Sequence, residues 1–106
     1  MLNICIFLFF QMKRLNITIT GKVQQVGFRF NALRTARMFH INGIVRNSGF
    51  DRVYIEAEGT HEDLDQFLKW CSKGPLGAQI DKVEVVEDIL KHYVGFEILS
   101  SNSGIC

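Results

Sequence analysis

From Leu15 to Thr20 the chain reads LNITIT, apolar and polar residues in alternation with β-branched side chains. That period of two predicts a strand with Leu15, Ile17 and Ile19 turned into a core. After a glycine-flanked stretch the period changes. Phe28, Ala32, Leu33, Ala36 and Phe39 recur at helical spacing, with Arg34 and Arg37 on the other side, up to a stop at Asn42–Gly43. This predicts a helix of about three turns. GIVRN (43–47) and RVYIEAE (52–58) then read as two strands around SGFD, whose glycine and aspartate suit a hairpin turn. Val53, Ile55 and Ala57 form the inner face of the second strand, which leaves Glu56 and Glu58 on a polar, solvated face. Thr60 followed by Asp63 resembles a helix N-cap with an acidic third position, and Leu64, Phe67, Leu68 and Cys71 follow at helical spacing up to KGPLG (73–77). IDKVEVVED (80–88) and GFEIL (95–99) predict two further strands.

The resulting order is β-α-β-β-α-β with an extra terminal strand. It is the α+β, ferredoxin-like (split β-α-β) arrangement, a mainly antiparallel sheet of four to five strands covered on one face by two helices. Many activities use that fold, so it leaves function open.

A length of 106 residues allows one domain and one core, so any site lies on the surface of that core. Twelve basic and eleven acidic residues nearly cancel, so long-range attraction selects neither nucleic acid nor membrane. No basic run occurs, and RVYIEAE lacks the stacked aromatics of an RNA-binding sheet, which excludes a nucleic-acid partner. Cys5, Cys71 and Cys106 are odd in number and widely spaced, which signals neither a disulfide framework nor a zinc site and points to a cytoplasmic setting. Residues 1–11, MLNICIFLFFQ, are apolar but far short of the roughly 20 residues a membrane helix needs. They fit a signal peptide poorly, since no basic residue precedes them and no small-residue cleavage site follows. Met12 is therefore expected as the natural start, with 1–11 an N-terminal extension outside the core and 12–106 the folded domain. His40, His61 and His92 lie apart, each near the end of an element, and suit surface or capping roles better than a metal site.

The candidate chemistry lies in GKVQQVGFR (21–29). Gly21 and Gly27 relax the backbone where a strand end passes into a helix start, a place where unpaired N–H groups attract an anion. Arg29 sits in the first turn of that helix, against the usual preference for acidic residues there. Its planar fork of donors suits a phosphate or a carboxylate. Taken alone, the same residues could be a tight turn beside a solvated arginine.

A second stretch decides between these readings. GKVQQVGFR resembles the acylphosphatase signature G-[RK]-V-Q-G-V-G-F-R, and GIVRNSGFDRVYIEAEG (43–59) is similar to that family's second motif. The resemblance spans Met12 to about Leu99. It implies hydrolysis of the mixed anhydride of an acyl phosphate to carboxylate and inorganic phosphate, with no metal, no cofactor and no covalent enzyme intermediate. Arg29 would bind the phosphoryl group, with the loop amides of Gln24, Gln25, Val26, Gly27 and Phe28 completing the cradle, and Asn47 would orient the attacking water. The expected protein is a monomeric cytoplasmic hydrolase acting on a small molecule, the alternative being a weakly active or non-catalytic anion-binding module of the same fold.

Two positions depart from the family pattern. Gln25 stands where the family usually has glycine, so a left-handed backbone there would cost roughly 1–2 kcal/mol. Asp51 replaces a hairpin glycine, and the hairpin is expected to tolerate it.

Overall fold

Residues 11–100 are described by the structure, a computed structural model. The elements are β1 (Met12–Lys22), α1 (Phe28–Met38), β2 (Asn42–Ser48), β3 (Arg52–Thr60), α2 (His61–Lys73), β4 (Gln79–Asp88) and β5 (Phe96–Ile98). The expected extension at 1–11 falls mostly outside the described residues; Gln11 is exposed and precedes β1. The five strands form one sheet in the order β4-β1-β3-β2-β5, antiparallel throughout except for the parallel pair β2·β5.

The alternation of apolar residues sets which face of this sheet is covered. Ile17 pairs with Ile55 and Ile19 with Val53 across β1 and β3, and Val45 of β2 pairs with Ile55 from the other side. All five are fully buried, together with Phe28, Ala32 and Ala36 of α1 and Leu64, Phe67 and Cys71 of α2. Trp70 bridges the two helices, its ring 5.1 Å from that of Phe28 and 6.4 Å from that of Phe67. Each large apolar side chain in this layer contributes roughly 1.5–3 kcal/mol by burial. Leu15 is only partly buried, packed at the margin of the core.

The two helices begin differently. The side-chain oxygen of Thr60 accepts from the Asp63 N–H at 3.2 Å, and Glu62 and Asp63 fill the acidic first turn of α2. α1 starts instead from Gly27 at φ 76°, with neither a side-chain cap nor an acidic residue in its first turn.

The opposite face of the sheet corrects one expectation. Glu56 and Glu58 alternate away from the helices as predicted, yet they are buried rather than solvated, at 7% and 2% exposure. Residues 89–95, between β4 and β5, run across them. The Glu58 carboxylate accepts from the backbone N–H groups of Lys91, His92 and Tyr93 at 2.5, 3.2 and 2.8 Å. Glu56 accepts from Lys91 Nζ at 2.9 Å, Tyr54 Oη at 2.7 Å, Arg14 Nη1 at 3.3 Å and the Tyr93 hydroxyl. Arg14, itself buried, also reaches Asp88 at 2.7 Å. Period-two reasoning selects the face correctly but cannot see a chain segment that crosses it later.

Among the described residues, no helix is long and apolar enough to cross a membrane.

Candidate active site

β1 ends in a shift of register against β4 between Thr20 and Gly21. A side chain at Gly21 would place its Cβ 2.1 Å from the Gln79 carbonyl oxygen, so the close approach requires glycine. The Gly21 N–H donates to the Asp51 carbonyl at 2.9 Å, which ties the strand end to the β2–β3 turn. That turn places Gly49 at φ 65°, while Asp51 is not left-handed, and the hairpin accepts it.

Gln24 extends the tie. Its amide donates to the carbonyls of Gly49 and Arg52, each at 3.0 Å. The chain then takes up Gln25 at φ 63° and Gly27 at φ 76° before entering α1. Gln25 therefore occupies the left-handed region, at the cost foreseen for a residue with a Cβ. Phe28, 1% exposed, anchors the first turn in the core and fixes where Arg29 emerges.

Arg29 and Asn47 line one cavity of about 220 Å³, together with Gln25, Gly27 and Phe28. Three apolar residues, Val23, Phe30 and Ile98, complete its wall. Asn47 sits late in β2, paired with Val53, and its Oδ1 is buried without a hydrogen-bond partner among the described residues. A buried acceptor of that kind is costly unless something donates to it. Among the described residues, Arg29 is the only charged one in the lining, and the first-turn N–H groups of α1 have no intrahelical carbonyl to bond. Positive potential and an unused acceptor thus meet in one small cleft.

Of the site residues expected from the sequence, the structure gathers Gln25, Gly27, Phe28, Arg29 and Asn47. Gln24 and Val26 stand outside the lining: Gln24 directs its side chain to the hairpin, and Val26 packs partly buried against the core. Each can contribute only its backbone N–H. Val23, Phe30 and Ile98 were not anticipated. Phe30 is 58% exposed, and an aromatic off the apolar face in the first turn of α1 was the one sequence signal for it. Among the described residues, no three His, Cys, Asp or Glu side chains gather as metal ligands.

Comparison with known proteins bears on the family and the fold. The family model described as Acylphosphatase matches residues 15–98. The chain is 39% identical to an acylphosphatase of Acaryochloris marina over 85 residues, 80% of this chain and 91% of that protein. It is 42% identical to an acylphosphatase of Archaeoglobus fulgidus over 84 residues, 79% of this chain and 94% of that protein. The crystal structure of acylphosphatase from Bacillus subtilis superposes with a TM-score of 0.80 at 29% identity, covering 84% of this chain and 99% of that one.

Proposed function

The chain belongs to the acylphosphatase family, and on that premise we propose that it hydrolyses an acyl phosphate in the cleft between Arg29 and Asn47, without a metal ion. The observation that carries this reading is the unpartnered, buried Oδ1 of Asn47 in the same cavity as Arg29.

In this mechanism the phosphoryl oxygens lie against the Arg29 guanidinium and the backbone N–H groups of Gln24–Phe28. The arginine is permanently charged and presents parallel donors, so it holds the anion and offsets the charge that spreads over the oxygens in the transition state. Asn47 Oδ1 accepts a hydrogen bond from a water and directs its lone pair at phosphorus. The new O–P bond forms as the bond from phosphorus to the acyl oxygen breaks. That oxygen leaves with the electron pair as a carboxylate, and the proton of the water passes to the phosphate product or to solvent. A carboxylate is a stable leaving group, so positioning and charge stabilisation are what remain for the protein to supply. A neutral amide suits the water site because it accepts without setting a negative charge beside the substrate.

A monomeric state and a cytoplasmic setting belong to the same proposal, the setting being supported by cysteine spacing that suits no disulfide framework. One observation favours a second reading. The left-handed Gln25 stores strain in the cradle, as would suit an anion-binding module with slow turnover.

The test is hydrolysis of benzoyl phosphate in the presence of EDTA. Turnover is expected in the wild-type protein and lost in Arg29→Ala and in Asn47→Ala with circular dichroism unchanged. Phosphate binding without hydrolysis would favour the second reading, and activity surviving either substitution would remove the mechanism.

A further inference from the structure

Glu58 lies on the face of the sheet away from the helices and takes no part in the chemistry above. We propose that it is a positioning residue for the site, latching residues 89–95 across the sheet and so fixing β5, whose Ile98 is one wall of the Arg29–Asn47 cavity. This rests on the reading of that cavity as the acyl phosphate site.

The weakness of β5 makes the latch matter. It is three residues long, lies at the edge of the sheet and pairs only with β2. So short a ladder holds itself poorly. Two bonds flank it, Gly43 N–H to the Gly95 carbonyl and Leu99 N–H to the Val45 carbonyl, each at 2.8 Å. Phe96 anchors one end in the core, its ring 6.2 Å from that of Phe67.

The approach to β5 has little apolar anchorage of its own. Ile89 and Val94 are 80% and 95% exposed, and the segment forms no regular secondary structure. Its attachment is polar, and most of it converges on two carboxylates. Glu58, 2% exposed, gathers three consecutive backbone N–H groups, with His92 at φ 63° in the middle of them. Bonds from N–H groups to an ionised carboxylate are stronger than those to a neutral acceptor. Glu56 adds the Lys91 and Tyr93 side chains.

The route from latch to site is short. Glu58 holds 91–93, Gly95 is bonded to Gly43, and Ile98 stands opposite Val45, two positions before Asn47 on β2. Releasing the latch lets Ile98 leave the cavity while Arg29, Asn47 and the loop stay in place. The acyl end of the substrate loses a wall, and the reacting end does not.

Two readouts on Glu58→Gln test this. The variant keeps the shape of the side chain but loses its charge and one acceptor oxygen. Trypsin should cleave it after Lys91 about tenfold faster than wild type, because local opening exposes that bond. The KM for benzoyl phosphate should rise about threefold to tenfold with kcat within about twofold, since displacement of a positioning group is felt in binding before chemistry. Simple loss of stability would reduce the active fraction, hence the apparent kcat, and leave KM alone. Glu58→Asp, which keeps the charge, should recover part of the KM. Ile98→Ala should raise KM alike without faster cleavage at Lys91, and it serves where Glu58→Gln does not fold. Hydrolysis with an unchanged KM in Glu58→Gln, or in Ile98→Ala, overturns the inference and leaves the catalytic reading standing. Absence of hydrolysis by the wild-type protein overturns both.

Discussion

The Gln24 amide donates to the Gly49 carbonyl at 3.0 Å, and so the loop that precedes Arg29 is fastened to the hairpin that follows Asn47. Its second bond, to the Arg52 carbonyl, makes the fastening bidentate. Two segments remote in sequence thereby keep a fixed spacing across the cavity. Gln24→Ala removes both bonds at a partly exposed position, where a hydrogen bond contributes about 0.5–1.5 kcal/mol net. Stability should fall by about 1 kcal/mol in urea unfolding. kcat/KM should fall by about tenfold, a loss of alignment larger than the loss of stability explains. Equal activity in the two proteins would show that the loop holds its place without the tie.

Gln25 holds φ 63° one residue farther on. A residue with a Cβ pays roughly 1–2 kcal/mol in that region, and glycine pays instead a smaller loss of chain entropy on folding. Gln25→Gly should therefore stabilise the protein by up to about 1 kcal/mol in thermal or urea unfolding. Hydrolysis should be unchanged or faster, since the backbone N–H groups then face the anion without strain. A marked fall in rate would mean that the Gln25 side chain, which lines the cavity, serves the substrate directly.

The helix-covered half of the molecule was open to reading because every constraint there is local and periodic. Ile17 and Ile19 alternate, Phe28, Ala32 and Ala36 follow the helical period, and Thr60 with Asp63 announces a capped start. Arg29 and Asn47 were legible for a different reason: each stands in a long motif, and resemblance supplied a pairing that spacing alone would not. What escaped depends on contacts between distant stretches without a period. The Gln24 amide meets Gly49 across a gap of 25 positions, and Glu58 meets residue 91 across 33. Residues 89–95 carry no alternation, so nothing in the pattern foretold that they cover Glu56 and Glu58. Ile98 reads as an ordinary strand residue until β5 is seen at the mouth of the cavity.

Glu56 ties acid stability to the same covered face. Burial pushes its carboxyl up, but hydrogen bonds from Tyr93, Lys91 and Tyr54 and the charge of Lys91 outweigh that and bring it from 4.5 down to about 2. The ionised form is thus preferred by the folded state. Its contribution is fully present above the ordinary carboxylate range and is lost as pH falls from about 4.5 through about 2. The full loss should be on the order of 3 kcal/mol in unfolding free energy, at about 1.4 kcal/mol per pKa unit. Asp88, held below its usual range by the Ile89 N–H and Asn16, adds in the same direction. Glu56→Gln should be less stable at pH 7, because buried Arg14 then keeps one charged partner, Asp88, instead of two, and Lys91 loses its own. Its stability should then change much less than that of wild type between pH 7 and pH 2.5, with Asp88 contributing to the remaining slope. Urea unfolding of both proteins at pH 7, 4 and 2.5 measures this, and parallel pH profiles would show that Glu56 is not the group whose protonation weakens the fold.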